Sequence, residues 1–140
     1  MENKILISEK NPISEARRYV ENAKQTLLEH GNLDTELKRY NDRKYVKAAG
    51  HYLWSAVLIM LDAVFQVKSP QHPHPDVMDY KKAVAARDRK LLVLVNDAYE
   101  TTHIFMGYDG VQNKDVCDAG FRLVNNIIDR CEVMIPAHVA

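Results

Sequence analysis

The residues best suited to acid–base chemistry in this sequence are Tyr99, His103 and Asp109. Tyr99 and His103 are four residues apart, so on a helix their side chains lie one turn apart and can touch. A histidine titrates near neutral pH, and a neighbouring tyrosine and carboxylate could assist proton transfer. A structural role explains the same histidine, because an imidazole in the last turn of a helix interacts favourably with the free carbonyls. We favour that role and keep the three residues as a candidate polar cluster.

Two clusters of basic residues could contact a phosphate backbone. The first contains Lys38 and the candidate nucleic-acid contacts Arg39, Arg43, Lys44 and Lys47. Tyr40 and Tyr45 lie among them, and cations combined with aromatic rings are typical of proteins that bind single-stranded nucleic acid. The second cluster contains Lys81, Lys82, Arg87, Arg89 and Lys90. Solvated helix faces explain both clusters, so we do not favour nucleic acid as the partner.

The sequence calls for no metal and no cofactor. Cys117 and Cys131 are fourteen residues apart on one predicted helix, which separates them by about 21 Å and excludes a disulfide between them. Neither has a second Cys or His at the spacing of a zinc site. Phosphate-binding loops, nucleophile elbows and His-Glu-x-x-His motifs do not occur. Two free thiols are typical of a reducing compartment, so we expect a cytoplasmic protein.

Length and composition indicate one globular domain. The chain has 140 residues, of which 46% are hydrophobic, and its 19 basic and 19 acidic residues give no net charge at pH 7. That length corresponds to a single ordinary domain. The longest apolar run, residues 52–67, is interrupted by Ser55, Asp62 and Gln66. It is shorter than a membrane span, and the N-terminus has no signal peptide, so we expect no membrane association.

The periodicity of apolar residues predicts four helices. The first begins at Asn11-Pro12, a helix-capping pair, and ends at Gly31, expected as a left-handed C-cap; residues 1–10 form a frayed leader. A polar connector with one helical turn, residues 32–41, leads to a second helix from Asp42 to about Lys68. After the proline-rich residues 69–75, a third helix runs from Asp76 to about Met106, and a fourth from Asn113 to Pro136. Helices of this length joined by short loops predict an all-α, antiparallel four-helix bundle.

The second helix is apolar on more than one side. From Tyr52 onward its polar residues fall in one narrow stripe that includes Asp62, so the rest of its surface must be covered. It is either the central helix of the bundle or part of a subunit interface. Large aromatic residues dominate interface energies, and the candidate interface residues are Tyr52, Trp54 and Phe65.

Several segments together resemble an uncharacterised bacterial family, a domain of unknown function built as a small four-helix bundle. They are Asn22-Ala23-Lys24, the run from Asp42 to Ala49, Leu61-Asp62-Ala63, Ala98-Tyr99 and Gly107-Tyr108-Asp109-Gly110. That family is in turn distantly similar to HEPN domains, many of which are homodimers and some of which are ribonucleases with an Arg-x4–6-His motif. Seven residues separate Arg43 from His51 and also Arg130 from His138, so this sequence lacks the motif. The resemblance therefore implies the fold without the nuclease.

Three functional hypotheses follow from these patterns. The first, which we favour, is a non-enzymatic helical module that forms a homodimer and engages another protein. The second is an HEPN-like RNA-binding domain that uses the region around Arg43. The third, an enzyme built on Tyr99, His103 and Asp109, requires those side chains to converge in an open pocket.

Overall fold

The computed structural model of the chain describes residues 11–69, 71 and 73–135. The helices are α1 (Pro12–His30), α2 (Arg43–Phe65), α3 (Val77–Ala85), α4 (Arg89–Ala98) and α5 (Lys114–Glu132). A two-residue hairpin, β1 (Leu33–Asp34) and β2 (Arg39–Tyr40), connects α1 to α2, and a π-helical segment, Tyr99–Tyr108, continues α4. The prediction of an all-α protein is confirmed. The predicted leader, residues 1–10, and the predicted stop at Pro136 lie outside the described residues.

Three of the predicted helix starts carry N-caps. The Asn11 side chain accepts a hydrogen bond from the Ser14 N–H (3.1 Å), and Asn113 accepts one from Val116 (3.1 Å). Asp76 forms a reciprocal capping box with Asp79. Such caps satisfy backbone donors that have no partner within the helix. Asp42, the predicted start of the second helix, precedes α2 without a side-chain capping bond.

The predicted end of the first helix is wrong in detail. Gly31 is right-handed (φ −68°), and Asn32 takes the left-handed conformation (φ 55°). Gly31 is instead required by space, because a Cβ there would lie 2.6 Å from the Leu27 carbonyl oxygen and 2.7 Å from the Tyr40 ring. The second helix likewise ends earlier than predicted, at Phe65, where left-handed Gln66 (φ 51°) terminates it.

The connector between α1 and α2 is a hairpin and contains no helix. Leu33 pairs with Tyr40 and Asp34 pairs with Arg39. The Tyr40 N–H donates to the Gln112 carbonyl oxygen (2.8 Å), while the Gln112 side-chain amide donates to the Tyr40 carbonyl oxygen (3.0 Å). These bonds tie the hairpin to the loop before α5, because an isolated pair of two-residue strands would not be stable.

The prediction of one continuous third helix is also wrong. The helix is interrupted after Ala85, and Asp88 starts it again as α4 by accepting a hydrogen bond from the Leu91 N–H (3.0 Å). Arg130 on α5 donates two further hydrogen bonds to the Asp88 carboxylate, at 2.8 and 3.0 Å. A partner from a distant helix therefore fixes the position of the break.

Helix α2 lies at the centre and runs antiparallel to α1 and to the π-helical segment. Against α1, Tyr52 is 6.0 Å from Tyr19 and Tyr45 is 4.8 Å from His30, measured between ring centroids. Nine residues of α2 are buried against α1, α5 and the π-helical segment. The length and composition of α2 alone would also permit it to span a membrane. This is weak evidence for a membrane span, because the buried core helix of a globular protein meets the same test. Coverage by its own chain therefore explains the broad apolar surface.

Candidate functional site

An aromatic cluster forms where α2 meets the π-helical segment. The rings of Tyr99 and His103 stack with centroids 5.2 Å apart, and Trp54 of α2 packs edge-on against Tyr99 at 5.3 Å. His51, one turn before Trp54 on α2, approaches His103 with centroids 6.4 Å apart. The predicted contact between Tyr99 and His103 therefore exists, and His51 joins it from another helix. Sequence spacing within the third helix could not reveal that partner.

His103 is held as a neutral imidazole. Its Nδ1 is buried and has no hydrogen-bond partner among the described residues. A proton on that nitrogen would have no acceptor, so we place the proton of the neutral ring on Nε2. Burial, and to a smaller extent the nearby His51, lowers the pKa of His103. Asp109 is exposed after the π-helical segment and is not among the groups that shift this pKa.

A cavity of about 250 Å³ lies beside the cluster. Trp54 and Leu58 form one wall, and Tyr80, Tyr99 and His103 line the remainder with the start of α3. The Tyr80 hydroxyl donates a hydrogen bond to the Asp62 carboxylate (2.8 Å). Burial raises the pKa of Asp62, and the hydrogen bond from Tyr80 opposes that rise. Asp62 thus has a defined structural partner on α3.

The candidate nucleic-acid contacts form a basic face at the start of α2, which we define as Arg39, Arg43, Lys44, Lys47 and His51. All but Arg39 line one shallow cavity of about 520 Å³. The Arg43 guanidinium donates to the Gln112 side chain (3.3 Å), and Arg39 donates to Asn41 (3.3 Å). Within the described part of the chain, none of the four Arg and Lys residues has a carboxylate oxygen within 4.0 Å.

Sequence reasoning missed an aromatic residue next to this face. Tyr108 is 75% exposed. Gly110, two residues later, has φ +65° and lies against the side chains of Arg43 and Lys47. An exposed ring near unpaired cations is what base stacking requires. The only sequence signal was the Gly107-Tyr108-Asp109-Gly110 segment, which contributed to the family resemblance but gave no indication of an exposed ring beside the cations.

The basic residues of the second cluster do not form one continuous surface, because Lys81 and Arg87 lie above different aromatic rings. Lys81 lies with its Nζ 4.8 Å above the Tyr99 ring, and Arg87 lies 5.1 Å above the Phe65 ring. Cations above aromatic faces gain modest electrostatic stabilisation. Lys81 therefore adjoins the aromatic cluster, whereas Arg87 helps to cover the end of α2.

The candidate interface residues differ in how far their own chain covers them. Trp54 is only 8% exposed and packs on Tyr99 and His103. Tyr52 and Phe65 are partly buried, against Tyr19 and Arg87 respectively. Nearly all of the Trp54 surface is thus already used within the chain, and an interface role for Tyr52 and Phe65 stays a prediction.

A larger groove of about 600 Å³ lies between α1 and α5. Its apolar side chains include Leu28, which is 69% exposed, and Phe121. On its rim, the Lys114 ammonium pairs with Asp118 at 2.6 Å between Nζ and Oδ2. The groove is lined by both acidic and basic residues and by exposed apolar surface, a combination suited to protein contact.

The two cysteines are structural. Both are buried, and burial raises the pKa of each thiol to about 12. A protonated, shielded thiol is a poor nucleophile and a poor metal ligand. Among the residues that the structure describes, no three His, Cys, Asp or Glu side chains are grouped so that they could hold a metal ion.

Comparison with known proteins assigns a family. Residues 11–133 match the family described as "Domain of unknown function (DUF5618)". The chain is also similar to the solved structure of a protein of unknown function from Dyadobacter fermentans, with 38% identity and a TM-score of 0.77. That similarity covers 87% of this chain and 93% of the other. No curated protein matches the chain significantly. The predicted membership in an uncharacterised domain family is thus confirmed: the chain belongs to the DUF5618 family.

Proposed function

We propose that this protein binds single-stranded RNA through the basic face and does not cleave it. The observation that carries the proposal is the absence of any carboxylate within 4.0 Å of Arg39, Arg43, Lys44 and Lys47 among the described residues. Arg17, Arg18, Lys114 and Arg130 are paired with acidic residues. Other described basic residues, such as Lys82 and Lys90, have no such partner either, but the four cations of the basic face are grouped around the start of one helix. Unpaired cations clustered on a chain of zero net charge repel one another, and a bound polyanion relieves that repulsion.

Stacking complements the charge. Tyr108 offers an exposed ring two residues before Gly110, the residue that lies against Arg43 and Lys47, and bases of any sequence can stack on such a ring. The distant resemblance to HEPN domains, some of which act on RNA, favours RNA over DNA. The missing Arg-x4–6-His motif argues against cleavage.

The test is a fluorescence-anisotropy titration of a labelled single-stranded RNA at several salt concentrations. Four phosphate contacts predict that the logarithm of the association constant falls with the logarithm of salt concentration, with a slope of about −3. Charge reversal at Arg43→Glu with Lys44→Glu should abolish measurable binding. The RNA should remain intact on a denaturing gel.

The matched control is charge reversal at Lys82→Glu with Lys90→Glu, which are exposed cations on α3 and α4. This variant has the same net charge as the first and lies away from the basic face. We expect it to bind RNA within about threefold of wild type, because the remaining field is screened over about 10 Å. Equal loss in both variants would mean non-specific attraction and would overturn the proposal, as would absence of binding by the wild type. DNA of the same sequence, bound equally well, would remove the preference for RNA.

A second candidate function is self-association through the groove between α1 and α5. The groove exposes Leu28 and Leu33 and carries both charge signs on its rim, including Glu21 and Lys24. A surface with both signs can pair with a second copy of itself in a two-fold dimer. This candidate corresponds to the first hypothesis from the sequence, a helical module that forms a homodimer and engages another protein.

Light scattering at high micromolar concentration tests this second candidate. We expect a dimer that Leu28→Arg converts to a monomer. Val93→Arg, at another exposed apolar residue on α4, should leave the dimer intact. A wild-type monomer under these conditions would exclude self-association through the groove.

A further inference from the structure

We propose that the cavity beside the aromatic cluster binds a single nucleobase of the RNA strand. The cavity is the one of about 250 Å³ lined by Trp54, Leu58, Tyr80, Tyr99 and His103. Pockets for drug-sized ligands usually have 300–1,000 Å³, so this one suits a ligand of one or two small rings. The inference deepens the proposed function and rests on it for the identity of the ligand.

The walls favour a flat aromatic ligand. Trp54, Tyr99 and His103 contribute three ring systems, and their contacts with one another at 5.2 to 5.9 Å fix the ring orientations in advance. Leu58 adds an aliphatic side. Pre-organised aromatic walls bind a planar ring without ordering further side chains, which reduces the entropic cost of binding.

The polar atoms favour a base over a plain hydrocarbon ring. The Nδ1 of His103 is shielded from solvent and unpartnered, so the nitrogen available to a ligand is Nε2, which carries the proton. The Tyr80 hydroxyl gives its proton to Asp62, which leaves its oxygen lone pairs as acceptors. Because both residues line the cavity, they can supply one donor and one acceptor, which match the mixed donors and acceptors of a nucleobase edge.

The surroundings connect the cavity to the basic face. His51 belongs to that face and lies 6.4 Å from His103, measured between ring centroids. On the other side, the Lys81 ammonium lies 4.8 Å above the Tyr99 ring and can meet a phosphate next to the bound base. Arg43, Lys47, His51 and Trp54 follow one another at intervals of three or four residues along α2. A strand held by the basic face would therefore reach the cavity along a single helix face.

Trp54 makes the test direct, because it is the only tryptophan in the chain. We would titrate the full chain with adenosine, guanosine, cytidine and uridine and record tryptophan fluorescence, with free N-acetyltryptophanamide as the correction for absorbance. At least one nucleoside should quench Trp54 saturably. Nucleosides carry no phosphate, so this titration reports on the cavity alone, whereas the RNA titration reports on the basic face.

Two variants separate base binding from unrelated quenching. Tyr99→Leu should weaken the affinity at least about fivefold through lost stacking, and His103→Phe should weaken it about fivefold through one lost hydrogen bond. Phe105→Leu, an exposed aromatic residue on the same π-helical segment outside the cavity lining, should leave the affinity unchanged. Circular dichroism would establish that each variant is folded.

The outcomes distinguish failure of this inference from failure of RNA binding. No saturable quenching by any of the four nucleosides would overturn the base site, even if RNA binds the basic face. Quenching that both cavity variants leave unchanged would also overturn it. Nucleoside binding without RNA binding would support the cavity as a base site and overturn the proposed function.

Discussion

At the scale of single residues, His103 shows how burial restricts an ionisable group. Its ring stacks on Tyr99, and its Nδ1 has no acceptor among the residues described. Protonation would place a charge in a partly buried position next to His51, which lowers the pKa of His103 below its ordinary value of 6.5. The imidazole is therefore neutral at physiological pH, and a role as a proton donor to a substrate is not what this environment favours.

This environment predicts a pH dependence of stability. Because the pKa is lower in the folded state than in the unfolded chain, the unfolded chain binds the proton more readily. The contribution of neutral His103 to the free energy of unfolding is therefore fully present above pH 6.5. It is lost as the pH falls below that value towards the pKa of His103 in the folded state. We expect the free energy of unfolding, measured by urea denaturation, to fall with pH in this window. One proton limits the slope to about 1.4 kcal/mol per pH unit.

The His103→Phe variant should flatten this pH dependence, because phenylalanine can keep the stacking on Tyr99 but cannot take up a proton. His74→Gln removes an exposed histidine and serves as the control, with a slope equal to that of wild type. The same slope in His103→Phe and wild type would show that another group controls the acid sensitivity.

At the scale of elements, the close crossing of α2 and the π-helical segment depends on Gly50, which has no side chain at the point of contact. A Cβ on Gly50 would lie 2.5 Å from both the Gly107 nitrogen and the Thr102 carbonyl oxygen. Those are backbone atoms, which cannot move unless a helix moves. Gly120 on α5 faces the same segment, but its nearest neighbour is the Met106 sulfur at 2.9 Å, the end of a flexible side chain.

We expect Gly50→Ala and Gly120→Ala to differ strongly. Gly50→Ala should lower the free energy of unfolding by about 3 kcal/mol, since the helices must separate to admit a methyl group. Gly120→Ala should change it by less than about 1 kcal/mol, because the thioether can rotate and alanine favours the helix. Thermal and urea denaturation of both variants would measure this. Equal effects would mean that the crossing is looser than these distances indicate.

Local sequence predicted the starts of most helices, but it did not predict the π-helical segment that takes part in this crossing. Caps at Asn11, Asp76 and Asn113 act within four residues, so local sequence was enough to find them. An α-helical apolar seam that contains Ala98 and Thr102 would next include Phe105, yet Phe105 is 39% exposed and Met106 is buried. A π-helix bonds i to i+5 and adds a residue to each turn. The buried position therefore moves on by one residue, a shift that periodicity assuming an α-helix cannot reveal.

The residues of the candidate site likewise fall into those that local sequence could predict and those that only the tertiary structure brings together. Tyr99 and His103 were found because they are neighbours on one helix, and the cations of the basic face because they are close in sequence. The contribution of His51 to the cluster depends on packing between α2 and the π-helical segment. The Asp62 carboxylate meets Tyr80 across two helices in the same way. Contacts of this kind need the tertiary structure.

At the scale of the whole molecule, the prediction of a single domain can be tested through the two cysteines. Cys117 lies near the start of α5 and Cys131 near its end, about 21 Å apart along the helix. Both are fully buried, and burial raises the pKa of each thiol to about 12. Each thiol should therefore be inert to a disulfide reagent until the structure around it opens.

If the chain unfolds as one cooperative unit, both ends of α5 become exposed in the same transition. We would make Cys117→Ala and Cys131→Ala, each of which keeps one thiol, and measure the rate of labelling by Ellman's reagent as urea is raised. Each variant should show labelling that follows its own unfolding curve from circular dichroism, so that differences in stability between the variants cancel. Labelling of Cys131 well before global unfolding would instead mean that the end of α5, with Asp88 and Arg130, opens as a separate unit.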